Sequence, residues 1–270
     1  MAQAYRYHSL EDFLIANCLT VDGQLDDGWG ATFPVKGREI DATVLFADIT
    51  AFSSRTADLS PTETLAFVNT FFAWVSAEAL QGRNGIIDKY IGDEVMIVFS
   101  KEFGSADPFG EAVQAARWMA DNDAHSFRPH IGLASGRVIV GYVGTALRYN
   151  CSVFGAPVAL AARCAAVRPE PSSNLAPCSI VFPESEWQDR SLDTLFPATR
   201  HHLPDGSAEE RPHSWESLQP REVIMKSLGT VRVRELIRRA MWFPSESPMD
   251  KARRDVASLL GSGRYWPRPD

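Results

Sequence analysis

Apolar positions along this chain alternate between two periods. "DATVLFADI" (Asp41–Ile49) is a nearly unbroken apolar run rich in strand formers, which predicts a buried strand. Ser60, Pro61 and Glu63 then make a helix start. Ser60 caps, Pro61 takes the first helical position and Glu63 reaches back to complete a capping box. Leu65, Val68, Phe72, Val75 and Ala79 recur at spacings of three and four, predicting an apolar helix face. The aromatic cluster Phe67, Phe71, Phe72 and Trp74 reads as helix core, with some of it left for an interface. Next, "IIDKYIGDEVMIVF" (Ile86–Phe99) holds two apolar segments joined by Gly-Asp-Glu, the pattern of a hairpin.

The pattern continues with a helix over Asp107–Asp123 and two strands around Ser135-Gly136 within Arg128–Gly144. A third helix spans Gly155–Val167, residues 168–177 form a loop, and "CSIVF" is a strand. Residues 204–219 are polar and read as mobile, 221–236 as a second hairpin, and a charged helix is expected near Asp250–Leu260. We divide the chain into an N-terminal helical extension (1–40, with one helix near Leu10–Cys18), a principal domain (41–236) and a C-terminal helical tail (237–270). The order β-α-ββ-α-ββ-α-β-ββ predicts an α+β (α/β) sandwich of ferredoxin-like type, with helices on one sheet face.

Composition narrows the function classes. With 270 residues, 45% hydrophobic and 23% charged, the chain is an ordinary globular protein with ample material for a core. A net charge of −7 argues against a broad nucleic-acid surface. No run approaches the roughly 18 apolar residues of a membrane span, and the N-terminus lacks the apolar stretch of a leader, so a cytoplasmic location is expected. The four cysteines form no Cys-x-x-Cys pair, which excludes common zinc sites and suggests free buried thiols. His201-His202 lacks a third ligand and reads as solvent-facing.

The candidate chemistry lies in carboxylates. Asp48 ends the first strand, and Asp93 follows 45 residues later at the hairpin tip. In a ferredoxin-like sheet these elements are neighbours, so the two acids meet at one end. Converging carboxylates repel each other and favour a hard divalent cation. Asp88 precedes Lys89 and alternates onto the opposite face, which excludes it as a third ligand. Glu94 reads as a solvated neighbour.

"LFADITAFS" (45–53) and "DKYIGDEVMIVF" (88–99) resemble the two metal-binding signatures of class III nucleotide cyclases. "GLASGRVIVGYVG" (132–144), "VFGAPVALAARC" (153–164) and "MKSLGTVRVREL" (225–236) resemble that family's later motifs, in the same order. The resemblance implies cyclisation of a ribonucleoside triphosphate with two Mn²⁺ or Mg²⁺ ions per site. Asp48, Asp93 and the Ile49 carbonyl would hold the ions, Arg137 and Lys226 would contact the triphosphate, and Arg163 would stabilise charge on the transferring phosphate. It also implies a head-to-tail homodimer, with base and arginine contacts supplied across the interface.

Two positions depart from the purine enzymes of the family. Lys89 fills the first base-reading position as in adenylate cyclases, but the second, usually aspartate, is Ser152, and Ala159 replaces a ribose-orienting asparagine. A lysine donor and a serine acceptor, with no carboxylate, suit uracil. This deviation and the compact layout resemble the pyrimidine cyclases of bacterial Pycsar anti-phage systems, implying cyclic UMP read by a separate effector. Cytidylate cyclase, adenylate cyclase and a silent cyclase-like module are the alternatives. A diguanylate cyclase is disfavoured because Ile91-Gly92 replaces Gly-Gly and Asp48-Ile49-Thr50 replaces Asp-Ile-Asp.

Overall fold

The computed structural model describes residues 5–238 except 27, 29, 31, 122–126, 146–147, 169–177, 203–206 and 212. The expected tail helix, all but the first two residues of the 237–270 segment and most of the 168–177 loop lie outside the described residues. So do the side chains of Ala79, His201 and His202.

The first predicted strand is longer than its apolar run. It is β2 (Thr32–Asp48), preceded by α1 (Leu10–Ala16) and β1 (Val21–Asp26). Alternate residues of β2 enter different cores. Leu45 and Ala47 pack on one face of the sheet, and Val44 and Phe46 on the other. Burial on both faces explains why the sequence shows no alternation there.

After α2 (Phe52–Thr56), α3 (Pro61–Leu80) begins with the expected capping box between Ser60 and Glu63. Its buried face differs from the one expected. Ala66, Phe67, Phe71 and Val75 enter the core, whereas Leu65 is 63% exposed. The helix is apolar almost all round, so spacing alone offers two faces. Stacking of Phe67, Phe71 and Trp74 around Phe127 selects one. Phe72 turns away and stacks on Tyr90, with ring centroids 4.2 Å apart.

The hairpin follows as β3 (Gly85–Ile91) and β4 (Glu94–Phe99), then α4 (Pro108–Asp121). The two strands expected around Ser135-Gly136 are one strand, β5 (His130–Thr145), since Gly136 stays paired with Ala42 of β2. Its hairpin partner is β6 (Arg148–Phe154), leading into α5 (Ala156–Ala165). Then come β7 (Cys178–Pro183), α6 (Leu192–Leu195), β8 (Thr199–His202), β9 (Ala208–Arg211), β10 (Trp215–Ser217), β11 (Arg221–Met225) and β12 (Gly229–Arg238). The polar 204–219 stretch therefore contains strands. One of them is anchored by buried Trp215, whose indole N–H donates to Asp121 at 3.0 Å.

The main sheet runs β10-β12-β7-β5-β2-β4-β3, with β1, β6 and β11 paired at its margins. Only β5 and β7 pair in parallel; the other described pairs are antiparallel. Helices cover both faces, not one. Residues of α3 and α4 share one core, while α1 and α5 share the other. The motif order shows helix number but not the side on which each lands. Gly132 explains how closely α5 approaches, because a Cβ there would lie 2.1 Å from the Ala161 carbonyl oxygen. That contact sets the position of the α5 side chains relative to the hairpin.

All four cysteines are free. Cys164 and Cys178 are buried, but Cys18 is exposed. Burial pushes the Cys151 and Cys164 thiols up to about 12, so both stay protonated at neutral pH. Among the described residues no helix is long and apolar enough to cross a membrane.

Candidate active site

Asp48 and Asp93 meet, as their spacing predicts. β2 ends at Asp48, directly opposite Glu94 at the start of β4. Gly92, with φ of 63°, makes the sharp turn that returns Asp93 toward Asp48. The two carboxyl groups line the same cleft. Their proximity bears on the proton affinity of Asp48. Burial first, then the hydrogen bond to Asp93, then the charges of Asp93 and Glu94 push it up to about 7. Arg168 opposes this rise, with its guanidinium 4.0 Å from the Asp48 carboxylate. These groups border a cleft of about 260 Å³, with Ile49 and Phe52 also in its wall.

The floor beneath Asp48 adds no positive charge. His130 lies opposite it in register on β5 and is buried. Burial first, and Arg168 second, push His130 down to about 4, so the imidazole is neutral. Its Nδ1 is 3.3 Å from the Ser179 hydroxyl. The pair Asp48–Asp93 is therefore a dense site of acceptors short of cations, which fits hard divalent ions. Among the described residues no group of three or more His, Cys, Asp or Glu converges as a complete cage. Two carboxylates with Ile49 in the same cleft wall leave room for oxygen ligands from outside the protein, a pattern that suits Mg²⁺.

Glu94 is not merely a solvated neighbour. It is half-buried and borders the cleft. Burial and Asp93 raise its carboxyl, while Arg163 opposes the rise. Arg163 is exposed in the last turn of α5, and this influence places its charge near the hairpin tip. Ala159 is exposed one turn earlier on that helix.

Lys89 and Ser152 also come together, and here the structure corrects the sequence reading. The pairing of β3 with β4 shifts between Ile87 and Lys89, so Asp88 is the extra residue of a bulge. The bulge cancels the alternation that would send Asp88 to the opposite face. Its carboxylate is fully buried, with the Ser152 hydroxyl donating to it at 2.9 Å and the Lys89 ammonium 3.3 Å away. Lys89 also donates to Ser152 Oγ. Neither base-reading position is itself a carboxylate, but one stands directly behind them.

Arg137 and Lys226 do not border the cleft of their own chain. Arg137 contacts Glu39 at 3.2 Å and Asp41 at 3.6 Å, opposite Asp41 in register. Asp41 and Asp48 are seven residues apart on β2, roughly 23 Å at strand rise. Lys226 is exposed in the turn between β11 and β12. Arg168 is the residue that sequence reasoning missed. It follows α5 in a plain stretch, and only the folded chain shows its proximity to Asp48.

The sequence profile of the adenylate and guanylate cyclase catalytic domain matches residues 35–170. The chain belongs to this family. The cyclase domain is 32% identical over 154 residues to Rv1318c of Mycobacterium tuberculosis, covering 56% of this chain and 28% of that protein. It is 30% identical over 210 residues to Mb1354c of Mycobacterium bovis, covering 76% and 37%. It thus spans well under half the length of these curated relatives. In fold it is similar to the adenylyl cyclase CyaB from P. aeruginosa, with a TM-score of 0.54, 18% identity, and coverage of 78% of this chain and 99% of that one. The guanylyl cyclase Cya2 gives a TM-score of 0.53, 18% identity, and coverage of 77% and 97%.

Proposed function

We propose that this cyclase domain converts UTP to cyclic UMP and pyrophosphate, acting as a head-to-tail homodimer. The observation that carries the cyclase reading is the convergence of Asp48 and Asp93 on one polar cleft. Asp48 and Asp93, with the Ile49 carbonyl, would hold two Mg²⁺ or Mn²⁺ ions. Ions bound there would lower the pKa of the ribose 3′-hydroxyl and neutralise the departing pyrophosphate. Arg163, near the hairpin tip, would stabilise charge on the transferring phosphate.

The homodimer follows from reach. Arg137 on β5, opposite Asp41, lies too far from Asp48 to meet a triphosphate held there in its own chain. A second copy in head-to-tail arrangement brings Arg137 and Lys226 to that triphosphate. It also places Lys89 and Ser152 at the base. One chain carries both halves, so the dimer holds two equivalent sites.

Uracil fits a pocket that offers a lysine donor beside a serine acceptor. It presents a carbonyl beside an N–H. A second reading, adenine, is favoured by the carboxylate behind Ser152. Resemblance to pyrimidine cyclases of anti-phage systems supports a role in antiviral defence, with the product read by a separate effector. The test incubates purified protein with each of the four ribonucleoside triphosphates and Mn²⁺. Cyclic UMP should dominate. Cyclic AMP as main product would overturn the uracil assignment, and no cyclic product from any of the four would overturn the cyclase assignment.

A further inference from the structure

The bulge at Asp88 does more than bury an acid. Three side chains from two strands close a hydrogen-bonded triangle: Asp88 and Lys89 from β3, and Ser152 from β6. Ser152 is fully buried and the Asp88 side chain has no solvent exposure, whereas the Lys89 side chain keeps 33%. Of the three side chains only Lys89 is open to a ligand; the Ser152 oxygen lies directly behind it, and Asp88 is enclosed.

Hydrogen-bond capacity then decides what the pocket presents. A serine hydroxyl has one hydrogen and two lone pairs, and a lysine ammonium has three hydrogens. The Ser152 hydrogen goes to Asp88, and one of its lone pairs takes a Lys89 hydrogen. A second Lys89 hydrogen faces Asp88. Within the triangle one serine lone pair and one lysine hydrogen are left unused, the hydrogen on the exposed ammonium.

We propose that Asp88 is a positioning residue for base selection: it fixes Ser152 as an acceptor and Lys89 as a neighbouring donor. Without Asp88 the hydroxyl rotates freely, donating to one base and accepting from another, and base choice relaxes. The pocket as built rejects any edge that sets two acceptors or two donors against this pair. This rests on the reading of Lys89 and Ser152 as base contacts. Burial raises the Asp88 carboxyl from its ordinary value, while Lys89 and Ser152 oppose that rise. The triangle is therefore internally compensated, and a loss at one corner is felt at the other two.

The experiment measures kcat and KM for the four triphosphates in the parent protein, Asp88→Ala, Asp88→Asn, Ser152→Ala and the double variant Asp88→Ala/Ser152→Ala. Direct binding of the four triphosphates is measured alongside. Asp88→Ala should raise KM for the preferred triphosphate about tenfold and cut its kcat/KM advantage over the next base by a similar factor. Asp88→Asn keeps an oxygen to accept the Ser152 hydrogen and should restore at least half of that advantage on a logarithmic scale. Adding Asp88→Ala to Ser152→Ala should change the base ratio by less than twofold, since Asp88 acts through Ser152.

A uniform loss across all four triphosphates, with the ratio unchanged, would overturn the proposal by showing a purely structural role. So would an Asn variant as unselective as the Ala variant. Failure of the cyclase reading looks different: the parent itself yields no product. The base ratios from binding then take the place of kcat/KM, with the same changes expected and the same outcomes overturning the proposal. A parent that binds no triphosphate overturns both readings.

Discussion

Two acids lie five residues apart on one hairpin and face opposite situations. Asp88 is enclosed with its compensation built in, a hydroxyl at 2.9 Å and an ammonium at 3.3 Å. Asp93 meets another acid, Asp48, whose nearest ion pair is an exposed arginine 4.0 Å away. Burial raises both Asp88 and Asp48, but three neighbouring groups hold Asp88 down, while Asp93 and Glu94 drive Asp48 further up. A carboxylate whose Oδ2 already takes a hydroxyl and an ammonium is set to position those neighbours. An unsatisfied pair is set to receive cations. The same hairpin thus carries both, and the bulge at Asp88 and the turn at Gly92 make the separation.

Removing charge from the unsatisfied pair should have the largest effect. Asp93→Asn should lower turnover on the order of 10³-fold or more, with the circular dichroism spectrum intact. Turnover within tenfold of the parent would remove the pair from the chemistry.

The same pair gives a stability signature. Asp48 titrates at about 7 in the folded chain against 3.8 without neighbours, so the folded state holds the extra proton between these values. Stability from this group is therefore full below about pH 4 and is lost as pH rises through 7. Asp48→Asn should remove that loss. In metal-free buffer at pH 8 the variant should be the more stable, by up to ~4 kcal/mol. Its Tm advantage should shrink toward pH 5, and added Mn²⁺ should raise the Tm of the parent alone. A parent that outlasts the variant in metal-free buffer at pH 8 would contradict the electrostatic account.

The two regions were not equally legible in the sequence. The convergence of Asp48 and Asp93 follows from strand ends and a short turn, features that a hydrophobic pattern states directly. The capping box at Ser60 was legible for the same reason, being a contact between near neighbours. The side of the hairpin on which Asp88 lies was not. It depends on one extra residue in the register with β4, and no local signal in "IIDKYIGDE" marks a bulge. Likewise, the face that α3 buries depends on Phe127, which lies 47 residues beyond the helix end. Arg168 lies beyond the end of α5 and meets Asp48 across a gap of 120 residues in sequence, a long-range contact that no local pattern marks.

Lys89→Ala breaks the compensated side. It should change KM across the four triphosphates by about tenfold with a smaller change in kcat, because the base contact lies away from the reacting phosphate. It also leaves Asp88 with one partner fewer, which should cost about 1–3 kcal/mol of stability. An unchanged triphosphate profile would remove Lys89 from base reading, whatever happens to Tm.

Arg168→Ala makes the smallest change, and it probes how unsatisfied the acid pair is. The arginine side chain is 61% exposed and its nearest atom is 4.0 Å from Asp48, so solvent screens the pair and stability should move by less than ~0.5 kcal/mol. Metal binding should move more. A fixed positive charge beside the acids repels an incoming divalent ion, so its removal should tighten Mn²⁺ binding by about two- to fourfold at low salt. The gain should fade as ionic strength rises and the Debye length shortens. Calorimetric titration of Mn²⁺ at two salt concentrations reads both. Weaker Mn²⁺ binding in the variant would mean that Arg168 organises the acids rather than competing for them. The contrast between the two carboxylate regions would then be one of degree.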